Sequence, residues 1–341
     1  MRRVLALVGA ALVLAGCTQH LGGAPIPGPR DGDPAYFFGS PAPTYGQPVA
    51  ALDAVRLAYL QALRRIDVCG LVDQGRLAKV GEIQSLGTLF VLDECNVEVK
   101  TPGRAFARFI SASVELAHPE GPEVARVGGV PVREAYAGSC EYLAPLDLAA
   151  LPGARPLAGP AQPQVRISMV AESDCAGVPR VAEVIAENLS RSALPVRDGL
   201  ATYSTPLAER DPCEVLSLVE VGFWDISGSS PYRCVFGVAR ATDPEAVPMA
   251  VALRPRVVDV SVEGRELVET DGAEVYLDRQ RCTALVFVGP PMQRRLGNGA
   301  LVDTGDDLQI RPAVDVASGE EDCMGPTLAA EVAARAAGLY G

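Results

Sequence analysis

The apolar positions of the chain fall into three kinds of pattern. Near the start, Met1-Arg2-Arg3 is followed by an unbroken apolar run over 4–14. Beyond residue 50 the dominant pattern is alternation, as in Cys95-Asn-Val97-Glu-Val99 and Cys234-Val-Phe236-Gly-Val238, the period of two expected of a half-buried strand. Similar strand signals occur over 105–114 and 250–262, over 130–136 and 273–277, and over 165–170 and 308–316. Helical signals stand at both ends of this series. Asp211-Pro212 reads as an N-cap with proline at the first helical position, ahead of Val215, Leu216 and Leu218. Closing helices are predicted over 179–190 and 327–339, each preceded by acidic residues that suit the helix dipole. Antiparallel sheet with helices packed on it is an α+β domain, and the pattern occurs twice.

The cysteines sharpen that duplication. Apart from Cys17, eight remain: Cys69, Cys95, Cys140, Cys175, Cys213, Cys234, Cys282 and Cys323. Cys69 and Cys213 each follow Asp at −2, Leu at −6 and Tyr at −10. Cys140 and Cys282 each have Leu at +3, and Cys175 and Cys323 each have Asp at −1, Gly at +2 and Ala-Glu-Val from +7. Spacings of 26, 45 and 35 residues in one copy match 21, 48 and 41 in the other. Four cysteines per copy allow three connectivities; first with second and third with fourth is favoured, because each link would staple a terminal helix to a strand. Thiolate ligation of zinc would need close Cys/Cys or Cys/His pairs, and these eight cysteines have none.

The amino terminus sets the compartment. Two arginines, a dozen apolar residues and a small-residue site make 1–16 a secretory signal peptide, too short to span a bilayer comfortably. Leu14-Ala15-Gly16-Cys17 resembles the lipobox of bacterial exported lipoproteins. The resemblance implies cleavage before Cys17 and its acylation, with more than one acyl chain for stable anchorage at the extracytoplasmic face of the cell membrane. Residues 17–50 hold Pro25, Pro27, Pro29, Pro34, Pro41, Pro43 and Pro48 and read as an extended spacer, in which Ala35-Tyr36-Phe37-Phe38 would either dock a partner or pack on the neighbouring domain. The expected domains are then 51–195 and 196–341.

Asp211-Pro212-Cys213-Glu-Val-Leu216 followed by Tyr232-Arg-Cys234-Val-Phe236 is similar to a motif of actinobacterial exported lipoproteins of unknown function; the first copy departs from it with Asp67-Val68-Cys69. Two disulfides in one α/β domain also resemble, more loosely, the extracellular sensor domain of mycobacterial receptor-type serine/threonine kinases. Two lysines against 28 arginines fit the GC-rich genomes of that group. The family implies a membrane-tethered envelope protein and brings no catalytic residues with it.

Candidate chemistry is sparse. His20 lies in the spacer, and His118 sits in the turn signal Ala117-His118-Pro119-Glu120-Gly121. No nucleophile elbow, zinc-protease helix or phosphate loop is written in the chain. Ser227-Gly228-Ser229-Ser230-Pro231 reads as a loop, and the acidic Asp303-Thr-Gly-Asp306-Asp307 with Glu320-Glu321-Asp322 lacks EF-hand spacing. A net charge of −12 speaks against nucleic acid. Residues 51–195 carry 14 basic and 17 acidic side chains and residues 196–341 carry 13 and 23, so the second copy is the expected partner of a cation. Trp224, the one tryptophan, would serve the core or anchor an interface.

The expectation is therefore a non-catalytic, lipid-anchored binding or sensor-type lipoprotein. It needs no cofactor or metal, and a small ligand or envelope protein would sit in an interdomain groove. A structural accessory subunit of a membrane or cell-wall assembly complex is the alternative. A glycan hydrolase with two facing carboxylates ranks behind both.

Overall fold

The computed structural model describes residues 20–21, 24–25, 35–100, 108–169, 175, 177–191, 193–197, 205–240, 243–292, 294–296, 301–302, 309–319 and 327–341. Cys17, Cys323 and the Asp303 and Glu320 clusters lie outside the described residues.

The protein is α+β and is built twice on one plan. The first copy contributes β1 (Glu82–Gly87), β2 (Glu94–Lys100), β3 (Arg108–Ala117), β4 (Glu123–Val127), β5 (Val130–Glu134), β6 (Tyr142–Pro145) and β7 (Gln162–Met169). The second contributes β8 (Val221–Ser230), β9 (Arg233–Arg240), β10 (Asp243–Val257), β11 (Glu266–Thr270), β12 (Ala273–Asp278) and β13 (Thr283–Phe287), then a hairpin of β14 (Arg294–Leu296) and β15 (Leu301–Val302), and last β16 (Ile310–Ser318). Strand order is β1-β2-β3-β7-β6-β5-β4 in one sheet and β8-β9-β10-β16-β13-β12-β11 in the other, with every described pair antiparallel. In both, the last strand of the copy enters the middle. The β14–β15 hairpin crosses over and adds two strands to the first sheet through Arg295 opposite Leu86.

Register fixes how the copies correspond. Cys95 pairs with Ala112 and Cys234 with Val251; Ala112 pairs with Ile167 and Val251 with Val316; Ile167 pairs with Tyr142 and Val316 with Ala284. Alternate residues of β2 and β9 (Cys95, Val97, Val99; Cys234, Phe236, Val238) are buried, as the period of two requires. The β4–β5 and β11–β12 turns are Gly128-Gly129 and Asp271-Gly272, all at positive φ (58° and 89°, 51° and 77°). That geometry matches the twist of a two-residue hairpin, and glycine adopts it without a Cβ penalty.

Three helices close the layers. α1 (Ala51–Arg64) is rich in good helix formers and places Val55, Tyr59, Ala62 and Leu63 in the first core. α2 (Val178–Leu189) covers the first sheet, and the alanine-rich α3 (Leu328–Tyr340) approaches β12, β13 and β16 closely. The recurring Ala-Glu-Val is one turn of these helices: Ala182 and Val184 are buried and Glu183 exposed, as are Ala330 and Val332 against Glu331.

Several expectations change. The 250–262 strand stops at Val257, because its partner β16 begins at Ile310 and offers no ladder beyond; Val258–Val262 turns helically instead. The closing helices are not capped by acids: Gly177 (φ 104°) precedes α2, and Thr327 accepts from the Ala330 N–H at 3.2 Å to start α3. α1 was not foreshadowed by the strand and cysteine pattern. The carboxyl end of the segment assigned to the spacer is packed: Ala35–Phe38 forms one helical turn, Phe37 is buried, and the Phe38 ring meets Tyr59 edge-on at 5.1 Å.

Disulfides join Cys69 to Cys95, Cys140 to Cys175 and Cys213 to Cys234, the favoured pairing. Cys282 is also disulfide-bonded. The Asp two residues before the first cysteine has a plain role in both copies: Asp67 Oδ1 accepts from the Cys69 N–H at 3.1 Å and Asp211 Oδ1 from the Cys213 N–H at 2.9 Å, starting a 3-10 turn.

Candidate functional site

The two copies meet along α1, whose second apolar face (Leu57, Leu60) packs on Ile226 of β8 with Trp224 beside it. Leu92, in the β1–β2 turn, is buried in the core of the second copy. The connecting segment is tied back onto the first copy: Asp67 N–H donates to Pro195 O at 3.0 Å, Arg197 N–H to Arg65 O at 2.8 Å, and Ile66 bridges Val196. Arg197, only 6% exposed, sends its guanidinium to the carbonyls of Arg64, Ile66 and Leu92 and stands 5.8 Å from the Tyr232 ring centroid.

Where α1 ends, the segment before it and the 3-10 turns Pro206–Glu209 and Pro212–Ser217 enclose a cavity of about 360 Å³. Its wall includes Tyr36, Tyr45, Gln61, Arg64, Asp211 and Glu214. Asp211 is the hub. Oδ1 caps the turn, Oδ2 accepts from Arg64, and the backbone N–H donates to Glu214 Oε1 at 3.1 Å in a capping box. The Tyr45 hydroxyl donates to the same carboxylate; burial first, and then Asp211, raise its pKa above the ordinary tyrosine value. Arg64 also donates to Pro231 O at 3.0 Å. Glu214 accepts both arms of Arg210 at 2.6 and 3.0 Å, and this with the Asp211 N–H holds its carboxyl low against the opposing effect of burial. Tyr340 closes the far side, its hydroxyl on Asp211 O at 2.9 Å and its ring under Arg210. The Tyr45 ring lies 6.4 Å from that of Trp224, which packs beside Ile226.

Chemically this is a polar cavity in which Asp211 and Glu214 are paired with arginines: it can orient a small polar ligand. His118 is exposed on the turn after β3, far in sequence from these groups. Ser227 and Gly228 lie on a bulge of β8, donating to Asp225 Oδ1 at 2.7 and 2.9 Å. Glu115 and Glu141 converge on Arg166, which binds both. Among the described residues no group of three or more His, Cys, Asp or Glu is placed to hold a metal ion, and no helix is long and apolar enough to cross a membrane. Of the residues that the sequence marks, Asp211 and Tyr36 line this cavity, and Trp224 lies outside it, next to Tyr45. Arg64, Tyr45 and Glu214 were not singled out; the capping-box spacing Asp211-x-x-Glu214 is the signal that marks one of them.

Comparisons with protein-family models, with curated proteins and with solved structures find no match for the chain.

Proposed function

We propose that the protein is a lipid-anchored, extracytoplasmic binding or sensor-type lipoprotein that performs no chemistry of its own, tethered through Cys17 and receiving a small polar ligand in the groove between its two copies. The observation that supports this most is the groove itself: two stapled copies and the packed end of the 17–50 segment frame one cavity, of the size small-ligand sites have. Its walls carry tyrosine, glutamine and paired charges, which orient a ligand without attacking it. The accessory-subunit alternative draws on two exposed apolar residues, Val260 in the helical turn after β10 and Leu267 on the edge strand β11.

Two measurements test the proposal. Metabolic palmitate labelling and detergent-phase partition should mark the wild-type protein and be lost in Cys17→Ser; an equally membrane-bound, unlabelled variant removes the anchor. Trp224 emission reports on Tyr45, so soluble envelope fractions that contain the ligand should shift it in the wild type and not in Tyr45→Ala. Turnover of any compound in those fractions, without a change in Trp224 emission, would overturn the binding assignment.

A further inference from the structure

The register that aligns the copies also aligns their outer sheet faces, and there the charges are reversed. By the pairing of Ala112 with Val251 and Ile167 with Val316 in position, Glu115 corresponds to Arg254 and Arg166 to Asp315. Both pairs are formed: Glu115 to Arg166 at 2.7 Å and Arg254 to Asp315 at 2.9 Å. The neighbours then diverge. In the first copy the next opposed residues along β3 and β7 are Ala117 and Gln162; in the second they are Arg256 and Arg311, directly opposite each other on β10 and β16. Glu141, the second acid on Arg166, corresponds to Thr283, whose buried Oγ1 has no hydrogen-bond partner.

Like charges directly opposed in an antiparallel pair are destabilising. Here three arginines, Arg254, Arg256 and Arg311, share one face of the β10–β16 pair with one carboxylate, Asp315, which takes Arg254 and Arg256 at 2.9 and 2.6 Å; Asp278 lies on the same face two strands away. Arg311, directly opposite Arg256, donates to Gly289 O at 3.1 Å and lies over the Phe287 ring at 5.2 Å. Arg265 reaches in from the linker to the carbonyls of Tyr276 and Thr283. Burial holds Arg254 below its ordinary pKa, with Arg256 and Arg233 acting in the same sense and Asp315 and Asp93 against it. A chain of net charge −12 thus concentrates unbalanced cations on one strand pair. Beside them, at the edge of the sheet, a cavity of about 400 Å³ has Tyr276, Phe287 and Arg311 in its wall, with Asp271 and Glu274 on the hairpin side and Ala334 and Ala337 of α3 opposite.

We infer that the outer face of the second sheet binds a phosphate monoester, with Arg254, Arg256 and Arg311 around the phosphate and the aromatic wall of the adjoining cavity against its organic part. A phosphate monoester carries close to two negative charges and three acceptor oxygens, which matches the excess of guanidinium groups over the one carboxylate on that strand pair. This site shares no residue with the groove between the copies, so the two stand or fall separately.

Isothermal titration of the full protein with inorganic phosphate, with phenyl phosphate, and with phosphatidylcholine vesicles containing phosphatidic acid tests it. Phosphate should bind, and phenyl phosphate should bind at least tenfold more tightly. Arg256→Gln with Arg311→Gln should weaken both at least tenfold, whereas Arg126→Gln on the first sheet should change neither. Arg311→Gln alone, at an accessible position, gives the same reading if the double variant does not fold. Without phosphate, Arg311→Gln should melt no lower than wild type, because it relieves a like-charge pair. Binding to the vesicles alone, lost in the double variant, would support the arginine site with a lipid headgroup as its source. No binding to any of the three probes, or binding that survives the double variant, overturns the assignment.

Discussion

Asp211→Ala should be among the most damaging single changes outside the cores, because one carboxylate serves three partners across the two copies. Losing the cap on the Cys213 N–H costs about 1 kcal/mol. The ion pair with Arg64 is nearly enclosed, with side-chain exposures of 12% and 15%, so removing one partner strands a guanidinium away from water at a cost of about 2 kcal/mol, below the ~3–5 kcal/mol of a fully buried pair. The Tyr45 hydroxyl loses its acceptor, adding about 1 kcal/mol. The sum is about 4 kcal/mol. Arg64→Leu should cost about 2 kcal/mol, part of it the bond to Pro231 O. If the pair is coupled as its geometry indicates, the double variant falls short of additivity by about 2 kcal/mol, since the stranded charge is then absent. Urea unfolding of the disulfide-intact protein, followed by Trp224 emission and far-ultraviolet circular dichroism, measures all four corners of the cycle. Additivity within about 0.5 kcal/mol would refute the argument and reduce the contact to an incidental neighbour.

Four further outcomes follow from other parts of the molecule. Burial, reinforced by Glu94 and Glu115 and opposed by Arg197, pushes the Asp93 carboxyl up to about 7, so between about pH 4 and 7 the folded state holds a proton that the unfolded state has released; stability falls as pH rises through that window, and Asp93→Asn should abolish the slope and raise the urea midpoint at pH 8. Replacing Cys213 and Cys234 with alanine opens a loop of 21 residues and should lower stability by about 3 kcal/mol in non-reducing urea titrations. Arg197→Met leaves the carbonyls of Arg64, Ile66 and Leu92 without a buried donor, and a loss of about 3 kcal/mol should appear in the same assay. Exchanging the Glu115 and Arg166 charges together, as Glu115→Arg with Arg166→Asp, should cost less than Arg166→Asp alone, which crowds three carboxylates; the difference, about 1 kcal/mol, is read from denaturation midpoints.

What could be read from the chain was what repeats locally. The Asp-x-Cys frame is a cap, the alternation after Cys95 and Cys234 is a buried strand face, and Ala-Glu-Val is a helical turn; each acts within a few residues, so spacing alone exposes it. Gly128-Gly129 and Asp271-Gly272 are equally local hairpin signals at matching places in both copies. α1 is harder, because it buries two faces, one against its own sheet and one against Ile226, and so shows no clean amphipathic stripe. The groove was not legible beyond its location between the copies. Arg64 and Asp211 are 147 residues apart, and nothing in the local sequence of either marks the other as partner. Proline density likewise suggests an extended spacer up to residue 50, yet the aromatic side chains of Tyr36, Phe37 and Phe38 dock by finding Tyr59 on α1 and Arg65 just past its end.

The same distinction decides how far net charge can be trusted. The acidic excess of the second copy, which suggests a cationic partner, is a sum over 196–341. Charge acts at the range of a Debye length, however, about 8–10 Å in physiological salt, so the face that meets a ligand matters more than the total. In the second copy exposed acids such as Glu263, Glu266, Glu269 and Glu274 line the outer edge, while Arg254, Arg256 and Arg311 occupy the middle strands. The first copy, closer to neutral overall, keeps Arg166 between two acids at the equivalent place. Duplication preserves what the fold needs, the buried faces and the stapled caps, and leaves the outer faces free to diverge. A reversed ion pair at a shared register position is the mark of that freedom, and the opposed arginines beside it are what stability alone would have removed.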